Sequence, residues 1–307
     1  MKNTPDVSII TVNYNTSRLV ADCLKSIKRE TKGLNYEVII VDNNSEPDFK
    51  FQILSKAGLS DNDQYKFISL AENKGFGQAN NEALKVANGR NILFLNPDTK
   101  LINNAVKILS DFLDSHSLAG ACCGNLFNKE GNPIFSYSRL LPGPLREFDE
   151  MLNNLPQKLI WGYNKNHNHT EKPIEPGFLS GADLMVKKMI LEEIGGFSDD
   201  FFMFYEDTDL CFKILRLGWK LYNVPQAKII HLSSKSFNET NEWESDLKTR
   251  LMEEGRNIYY KKNRGKNAIK ISNFFYNIFL TTRVIFIREK GKKEYYRLRK
   301  AYFKSSR

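Results

Sequence analysis

The chain has 307 residues, 41% hydrophobic and 26% charged, with a formal net charge of +9. This describes a mostly globular, soluble body, long enough for one large α/β domain with an extension or for two small domains. The four cysteines, Cys23, Cys122, Cys123 and Cys211, form no CxxC pair, which argues against a disulfide framework or structural zinc and fits a reducing cytosol. The charge is uneven. Lys261 to Arg307 carries 15 Lys or Arg against two acids, Glu289 and Glu294, while residues 1–260 carry 30 basic and 34 acidic residues. A basic tail on a mildly acidic body points to an anionic partner, membrane or nucleic acid. MKNTPDVSIITVNYN has no long apolar run after a basic segment, so no signal peptide is expected.

In chain order, Val7–Val12 reads as a strand, and residues 17–30 place Leu19, Val20, Cys23, Leu24 and Ile27 at helical spacing behind a Thr16 or Ser17 N-cap. Glu37–Val41 is a second strand, followed by a helix near 48–57; Lys66–Leu70 is a third, followed by a helix over 77–88. Asn91–Leu95 is a fourth strand, ending in Asn96-Pro97-Asp98, and a helix is predicted at about 101–115. Strand and helix alternating at this rhythm predict βαβ units, a mostly parallel sheet and helices on both faces. The strands end in NYNTS, DNNSEPD, ENKG and NPDT, so four polar ends meet at the rim where open α/β sheets bind ligands.

Residues 142–176 hold five prolines and read as an irregular insertion. Residues 206–218 read as a helix, Lys220–Leu232 as a strand broken at Pro225, and 240–262 and much of 270–304 as helical. There is no repeat or low-complexity run.

Familiar nucleotide motifs are missing. Gly75-Phe76-Gly77 starts like a dinucleotide fingerprint, but Asn80 holds the third glycine position and the first strand ends without glycines; GxxxxGK[ST] is absent. The strand ends offer carboxylates and amides instead. Asp42 can accept an N–H from a pyrimidine ring or close a turn. Asp98 suits Mg²⁺ or Mn²⁺, or equally a Pro-Asp turn. In FFMFYEDTDL, residues 201–210, three acids follow aromatic and apolar residues. They can start a helix, or one can be a general base whose apolar surround raises its pKa. His231 closes another strand and is an acceptable manganese ligand, although a lone histidine is more often structural.

SIITVNYN, VIIVDNNS, NKGFGQANNEAL, LFLNPDT, GADLMVKKMILEEIGGFSDDFFMFYEDTDLCFKILRLGW and IIHLSSKS, in this order between about Ser8 and Lys262, resemble glycosyltransferase family 2, the inverting nucleotide-sugar transferases with a GT-A fold. EDTDL, the following Gly-Trp and the later histidine are most similar to its bacterial rhamnosyltransferases. The resemblance implies that Asn13, Tyr14 and Asn15 line the nucleotide pocket and that Asp42 reads the base. Asn73, Lys74 and Gly75 would contact nucleotide or ribose, with Lys74 near phosphate. The family's Asp-x-Asp metal motif is here Asn96-Pro97-Asp98, so Asn96 replaces the first acid and would contact the nucleotide; Asp98 and His231 would hold the divalent ion, Mn or Mg. Gly181, Ala182 and Asp183 would border the donor sugar. Asp207 matches the catalytic base, with Glu206 beside it at the sugar site.

The expected organisation is a GT-A domain over 1–262, with the insertion at about 142–176, and a basic amphipathic helical tail over 263–307. Within the tail, ISNFFYNIFLTTRVIFI is interrupted by Arg283 and is a poor membrane span. It reads as an in-plane anchor on anionic lipid, or as a helix packed on the body or pairing two protomers into a homodimer. No RNA-binding signature accompanies the charge, so no nucleic acid is expected. The expectation is a metal-dependent inverting glycosyltransferase, cytoplasmic and peripheral to the inner membrane face. It would move L-rhamnose from dTDP-rhamnose to a lipid-linked surface glycan. UDP-hexose or UDP-N-acetylhexosamine donors, and a non-catalytic nucleotide-sugar or glycan-binding module, are the alternatives.

Overall fold

The computed structural model describes residues 4–45, 49–60, 64–232 and 242–305, with no side-chain description for 242–245. The SSKS part of the last family motif, residues 233–236, and residue 48 at the start of the predicted second helix therefore lie outside the described residues.

β1 (Val7–Asn13), α1 (Ser17–Glu30), β2 (Tyr36–Asp42), α2 (Phe49–Ala57), β3 (Tyr65–Ser69), α3 (Phe76–Leu84) and β4 (Asn91–Leu95) follow the predicted alternation. β1 and β4 are buried along their whole length; in β4 the apolar run Ile92–Leu95 is unbroken, as expected when helices cover both faces, while β1 also buries Ser8, Thr11 and Asn13. α1 turns Val20, Cys23, Leu24 and Ile27 inward. Its N-cap Thr16 makes no side-chain cap; instead the Thr16 N–H and hydroxyl both donate to Asn13 Oδ1 at 3.1 Å.

The predicted helix at 101–115 is shorter than expected. β5 (Thr99–Leu101) comes first, and α4 runs over Ala105–Ser115. β6 (Ala119–Phe127) follows, then the two-residue β7 (Tyr137–Ser138). The insertion is not irregular: it contains α5 (Pro144–Met151), α6 (Leu155–Trp161) and a 3₁₀ turn at Gly162–Lys165. β8 (Phe178–Leu179), β9 (Asp183–Lys187), α7 (Lys188–Ile194), α8 (Glu206–Arg216) and β10 (Lys220–His231) complete the body, and α9 (Glu242–Asn263), α10 (Lys266–Phe286) and α11 (Lys290–Ser305) follow.

Among the described residues the main sheet has eight strands in the order β3-β2-β1-β4-β9-β6-β10-β5. β1, β2, β3, β4, β6 and β10 run one way, while β5 and β9 run against them. The sheet is thus mostly parallel, with one apolar cluster on each face. β10 slips register against β6 between Asn223 and Lys228, which accommodates Pro225 inside a strand.

The C-terminal helices are stapled to the body through a buried polar cluster. Arg256 of α9 donates to Glu147 Oε1 of α5 at 2.9 Å, and the Tyr260 hydroxyl donates to the same oxygen at 2.6 Å. Arg299 of α11 donates to Glu253 of α9 at 2.7 Å, and the Tyr276 hydroxyl of α10 also bonds Glu253. The Arg256 guanidinium lies 4.0 Å from the Tyr276 ring centre.

Candidate active site

The register of β1 against β2 places Asn13 opposite Asp42. Asn13 Nδ2 donates to Asp42 Oδ1 at 2.7 Å and to Ser45 Oγ at 3.0 Å, and Ser45 N donates to Asp42 Oδ2 at 3.0 Å. Asp42 is therefore buried and held by its own turn, while Tyr14 beside it is 48% exposed. Asn15 adopts a left-handed conformation (φ 55°), with its N–H on Ser45 Oγ at 2.9 Å.

The second rim segment is tied to this turn by a residue that sequence reasoning passed over. Asn43 Oδ1 accepts the Lys74 N–H at 2.9 Å, and its Nδ2 donates to Asn73 Oδ1 at 2.7 Å and to the Gly75 carbonyl at 3.2 Å. The polar strand end DNNS signals a turn, but not that its second residue carries the neighbouring loop. Lys74 does not face open space: its ammonium lies 3.0 Å from Glu82 of α3. Gly75 has φ 80°, and a Cβ there would overlap the Phe202 carbonyl, which accepts the Phe76 N–H at 3.0 Å. Only glycine allows this approach. It locks the 73–75 loop to the FFMFYED turn.

β5 explains the third grouping. It pairs antiparallel with β10 in a register that puts Thr99 opposite His231, so His231 Nε2 sits 3.2 Å from Asp98 Oδ1 and 3.4 Å from Asn96 Nδ2. Asp98 Oδ1 is buried and, among the described residues, receives no aligned hydrogen bond despite that proximity. An unsatisfied carboxylate oxygen beside an imidazole nitrogen suits a divalent ion. No three His, Cys, Asp or Glu side chains form a metal cluster among the described residues. The residues present thus fit an ion whose other positions are filled by substrate phosphate and water.

The Asn96 N–H donates to the Ala182 carbonyl at 2.9 Å, and Gly181 N donates to Asp207 Oδ2 at 2.9 Å. Gly181 and Asp207 thus lie side by side; a Cβ on Gly181 would be 3.2 Å from Asp207 Oδ2. Asp183 is placed differently from the sugar-bordering position expected. It is fully buried, with Oδ2 accepting the Gly124 N–H at 2.6 Å, and burial pushes its pKa up to about 7.

Two consecutive non-glycine residues, Phe204 (φ 68°) and Tyr205 (φ 70°), adopt left-handed conformations immediately before α8. Such backbone persists only where surroundings enforce it. Gly255 of α9 does so from behind: a Cβ there would come within 2.5 Å of the Phe204 carbonyl. Of the acids that follow, Asp209 is fully buried and committed to Ser198 Oγ and Asn263 Nδ2, both at 2.6 Å. Glu206 is buried, and desolvation together with the Asp207 charge raises its pKa to about 8. Asp207 stays partly exposed; burial raises its pKa, opposed by the Gly181 and Thr208 N–H groups. These donors favour its ionised form, so of the two neighbours Glu206 holds the proton and Asp207 the charge. An ionised, solvent-reaching carboxylate is what a general base requires.

The family profile for glycosyl transferase family 2 matches residues 8–195, and glycosyl transferase family group 2 matches residues 158–251. The chain is 25% identical over 229 residues to the low-salt glycan biosynthesis hexosyltransferase Agl10 of Haloferax volcanii, covering 73% of this chain and 66% of Agl10. It is 27% identical over 149 residues to the N-acetylglucosaminyl-diphospho-decaprenol L-rhamnosyltransferase of Mycobacterium tuberculosis, covering 47% of this chain and 48% of that enzyme. The chain thus spans less than two thirds of either relative's length. In fold it is similar to the Pyrobaculum calidifontis mannosyltransferase PcManGT, solved with GDP-Man and Mn²⁺, at a TM-score of 0.61 and 14% identity, covering 99% of this chain and 86% of that one. With a polar rim built from its strand ends and a profile match over more than half its length, the chain belongs to glycosyl transferase family 2 and has the GT-A architecture.

Proposed function

We propose that the chain is an inverting glycosyltransferase acting in glycan biosynthesis. The observation that carries this is Asp207: a partly exposed carboxylate whose oxygens accept the Gly181 and Thr208 N–H groups, beside the buried Glu206. Asp207 accepts the proton of an acceptor hydroxyl as that oxygen attacks the anomeric carbon opposite the leaving nucleoside diphosphate. One base suffices, because a single displacement inverts the centre without an enzyme nucleophile. Asn13, Asp42 and the Asn43-braced 73–75 loop form the nucleotide side of the rim. Asp98 and His231 would hold a divalent ion, Mn or Mg, which when bound offsets charge on the diphosphate. PcManGT, solved with Mn²⁺, supports this by fold.

The donor we favour is dTDP-rhamnose and the acceptor a lipid-linked glycan. The mycobacterial relative, a rhamnosyltransferase acting on a decaprenol-linked sugar by its name, supports both. Agl10, a hexosyltransferase, keeps UDP-hexose donors open. The place of action is the cytoplasmic membrane face, with the basic tail as the contact. No helix among the described residues is long and apolar enough to cross a membrane.

The test is thermal melting of the full chain across dTDP- and UDP-sugars, with Mn²⁺ and with EDTA. A ligand that binds only the native state raises the midpoint. A metal-dependent shift with one sugar nucleotide identifies the donor; no shift with any of them removes the proposal.

A further inference from the structure

We propose that the outward face of α5, α6 and α10 is a docking surface for a bilayer containing anionic lipids. α10 is apolar on two sides. Its inner side buries Tyr276, Phe279 and Leu280 against α11 and the body. Its outer side leaves Ile271, Phe274 and Ile285 exposed, at spacings that share one helix face.

The insertion helices extend this surface. α5 exposes Leu145, Phe148 and Leu152 at i, i+3 and i+7, and α6 exposes Leu159 (78%) and Ile160 (69%). Phe148 packs edge-on against Phe275 of α10, with ring centres 5.2 Å apart. α6 is fastened to α5 by the Gln157 N–H on Asp149 Oδ1 at 2.9 Å, and the Arg283 guanidinium of α10 bonds Asn153 between them. Three helices thus present exposed large apolar side chains from one contiguous part of the molecule, the kind of patch that marks an interaction surface.

Charge decides the occupant. Exposed cations, Lys158, Lys266, Lys270, Arg288, Lys290 and Lys292, lie on or beside the same helices. The only acids of the tail, Glu289 and Glu294, are paired with Lys292 and Arg297. Apolar side chains within a basic rim match the boundary between acyl chains and anionic headgroups. A nucleic acid would take the charge and leave the leucines and phenylalanines wet.

The surface also adjoins the catalytic turn. Arg146 in the first turn of α5 stands 5.2 Å from the Phe178 ring centre, and the adjacent Glu147 holds Arg256, whose neighbour Gly255 backs the Phe204 carbonyl. A bilayer under α5 would therefore bring lipid-borne hydroxyls to the side of the molecule that holds Asp207. That consequence rests on the glycosyltransferase reading; the docking does not.

The experiment is co-sedimentation of the full chain with phosphatidylcholine vesicles, with or without about a third phosphatidylglycerol, at low and high salt. Two double variants accompany it, Leu159→Glu with Ile160→Glu and Phe274→Glu with Ile285→Glu; circular dichroism checks their fold, and light scattering the mass of all three. The wild type is expected to bind the anionic vesicles in a salt-sensitive way. Each variant should bind at least about tenfold more weakly at unchanged melting temperature. The proposal is overturned if the wild type stays in the supernatant, if both variants bind as it does, or if binding ignores the anionic lipid. It is equally overturned if the wild type is a dimer that the variants convert to monomers, because the face then belongs to a second copy. A chain that docks but is shifted by no nucleotide sugar would keep this surface and lose the enzymatic reading.

Discussion

Arg256→Met tests whether the C-terminal helices are held by the buried ion pair. The Arg256 and Glu147 side chains are 1% and 5% exposed. Burial raises the Glu147 pKa, and the largest opposing influence is Arg256. Removing the guanidinium strands a carboxylate that keeps the Tyr260 hydroxyl as a hydrogen-bond donor. Breaking such a pair costs about 3–5 kcal/mol. At roughly 2–4 °C per kcal/mol for a chain of this size class, the midpoint should fall by about 6–20 °C. The sign with pH follows. Without Arg256 the folded pKa of Glu147 rises further above its unfolded value, so stability is retained below the unfolded pKa and lost as pH rises through the folded one. The defect should therefore be larger at pH 8 than at pH 5, measured by urea unfolding at both. Adding Glu147→Gln should recover most of the loss at pH 8. A cost below about 1 kcal/mol, or one independent of pH, would refute the reasoning.

Asp207→Asn keeps an oxygen for only one of the two N–H groups, since Gly181 bonds Oδ2 and Thr208 bonds Oδ1; the melting temperature should fall, but the upward shift with the donor should survive while turnover falls about 10²–10⁴-fold, and equal losses in both would mean a structural role. Glu206 carries a folded pKa of about 8 against an ordinary 4.5, so its contribution should decline as pH rises between these values. Glu206→Gln should accordingly flatten the fall in melting temperature over that window, and parallel wild-type and variant curves would contradict the assignment of the proton to Glu206. Gly75→Ala adds about 1–3 kcal/mol of strain at a backbone conformation (φ 80°, ψ −177°) that essentially only glycine adopts, and forces the loop off the Phe202 carbonyl. Donor affinity should weaken at least about tenfold by calorimetry, and unchanged affinity would show that the lock between the two loops is dispensable.

The first half of the fold was readable because apolar stretches alternate with helical periodicity, with Ile39-Ile40-Val41 and Ile92-Leu93-Phe94 as the plainest strand signals. What escaped was structure whose signal is not apolar periodicity. β6 is AGACCGNLF, small residues chosen for close packing: Gly124 touches the Ala227 carbonyl, and Gly120 lies under Trp219. β5 is three residues long and exists because β10, far away in sequence, pairs with it. Residues 142–176 looked irregular because Pro144 and Pro156 read as breakers, yet both stand in the first turns of helices, where a missing N–H costs nothing. The motif residues Asp207 and Gly181 are brought together in space. The bracing by Asn43, the burial of Asp183 and the pairing of Lys74 with Glu82 arise from tertiary neighbours that no local pattern encodes.

The bond between Glu147 and Arg256 joins residues 109 positions apart in the chain. A ribosome adding about 5–20 residues per second needs several seconds or more to supply the second partner after the first. During that interval α5 has emerged with its carboxylate unmatched, and Phe202, whose carbonyl accepts the Phe76 N–H, is added only within it. The turn before α8 waits for the same late segment, since Gly255 of α9 backs the left-handed Phe204. Synthesis thus supplies β1 to β4 first and the helix that backs this turn last. A chain released early, before α9, would have the polar strand ends without the glycine that backs the turn leading to Asp207.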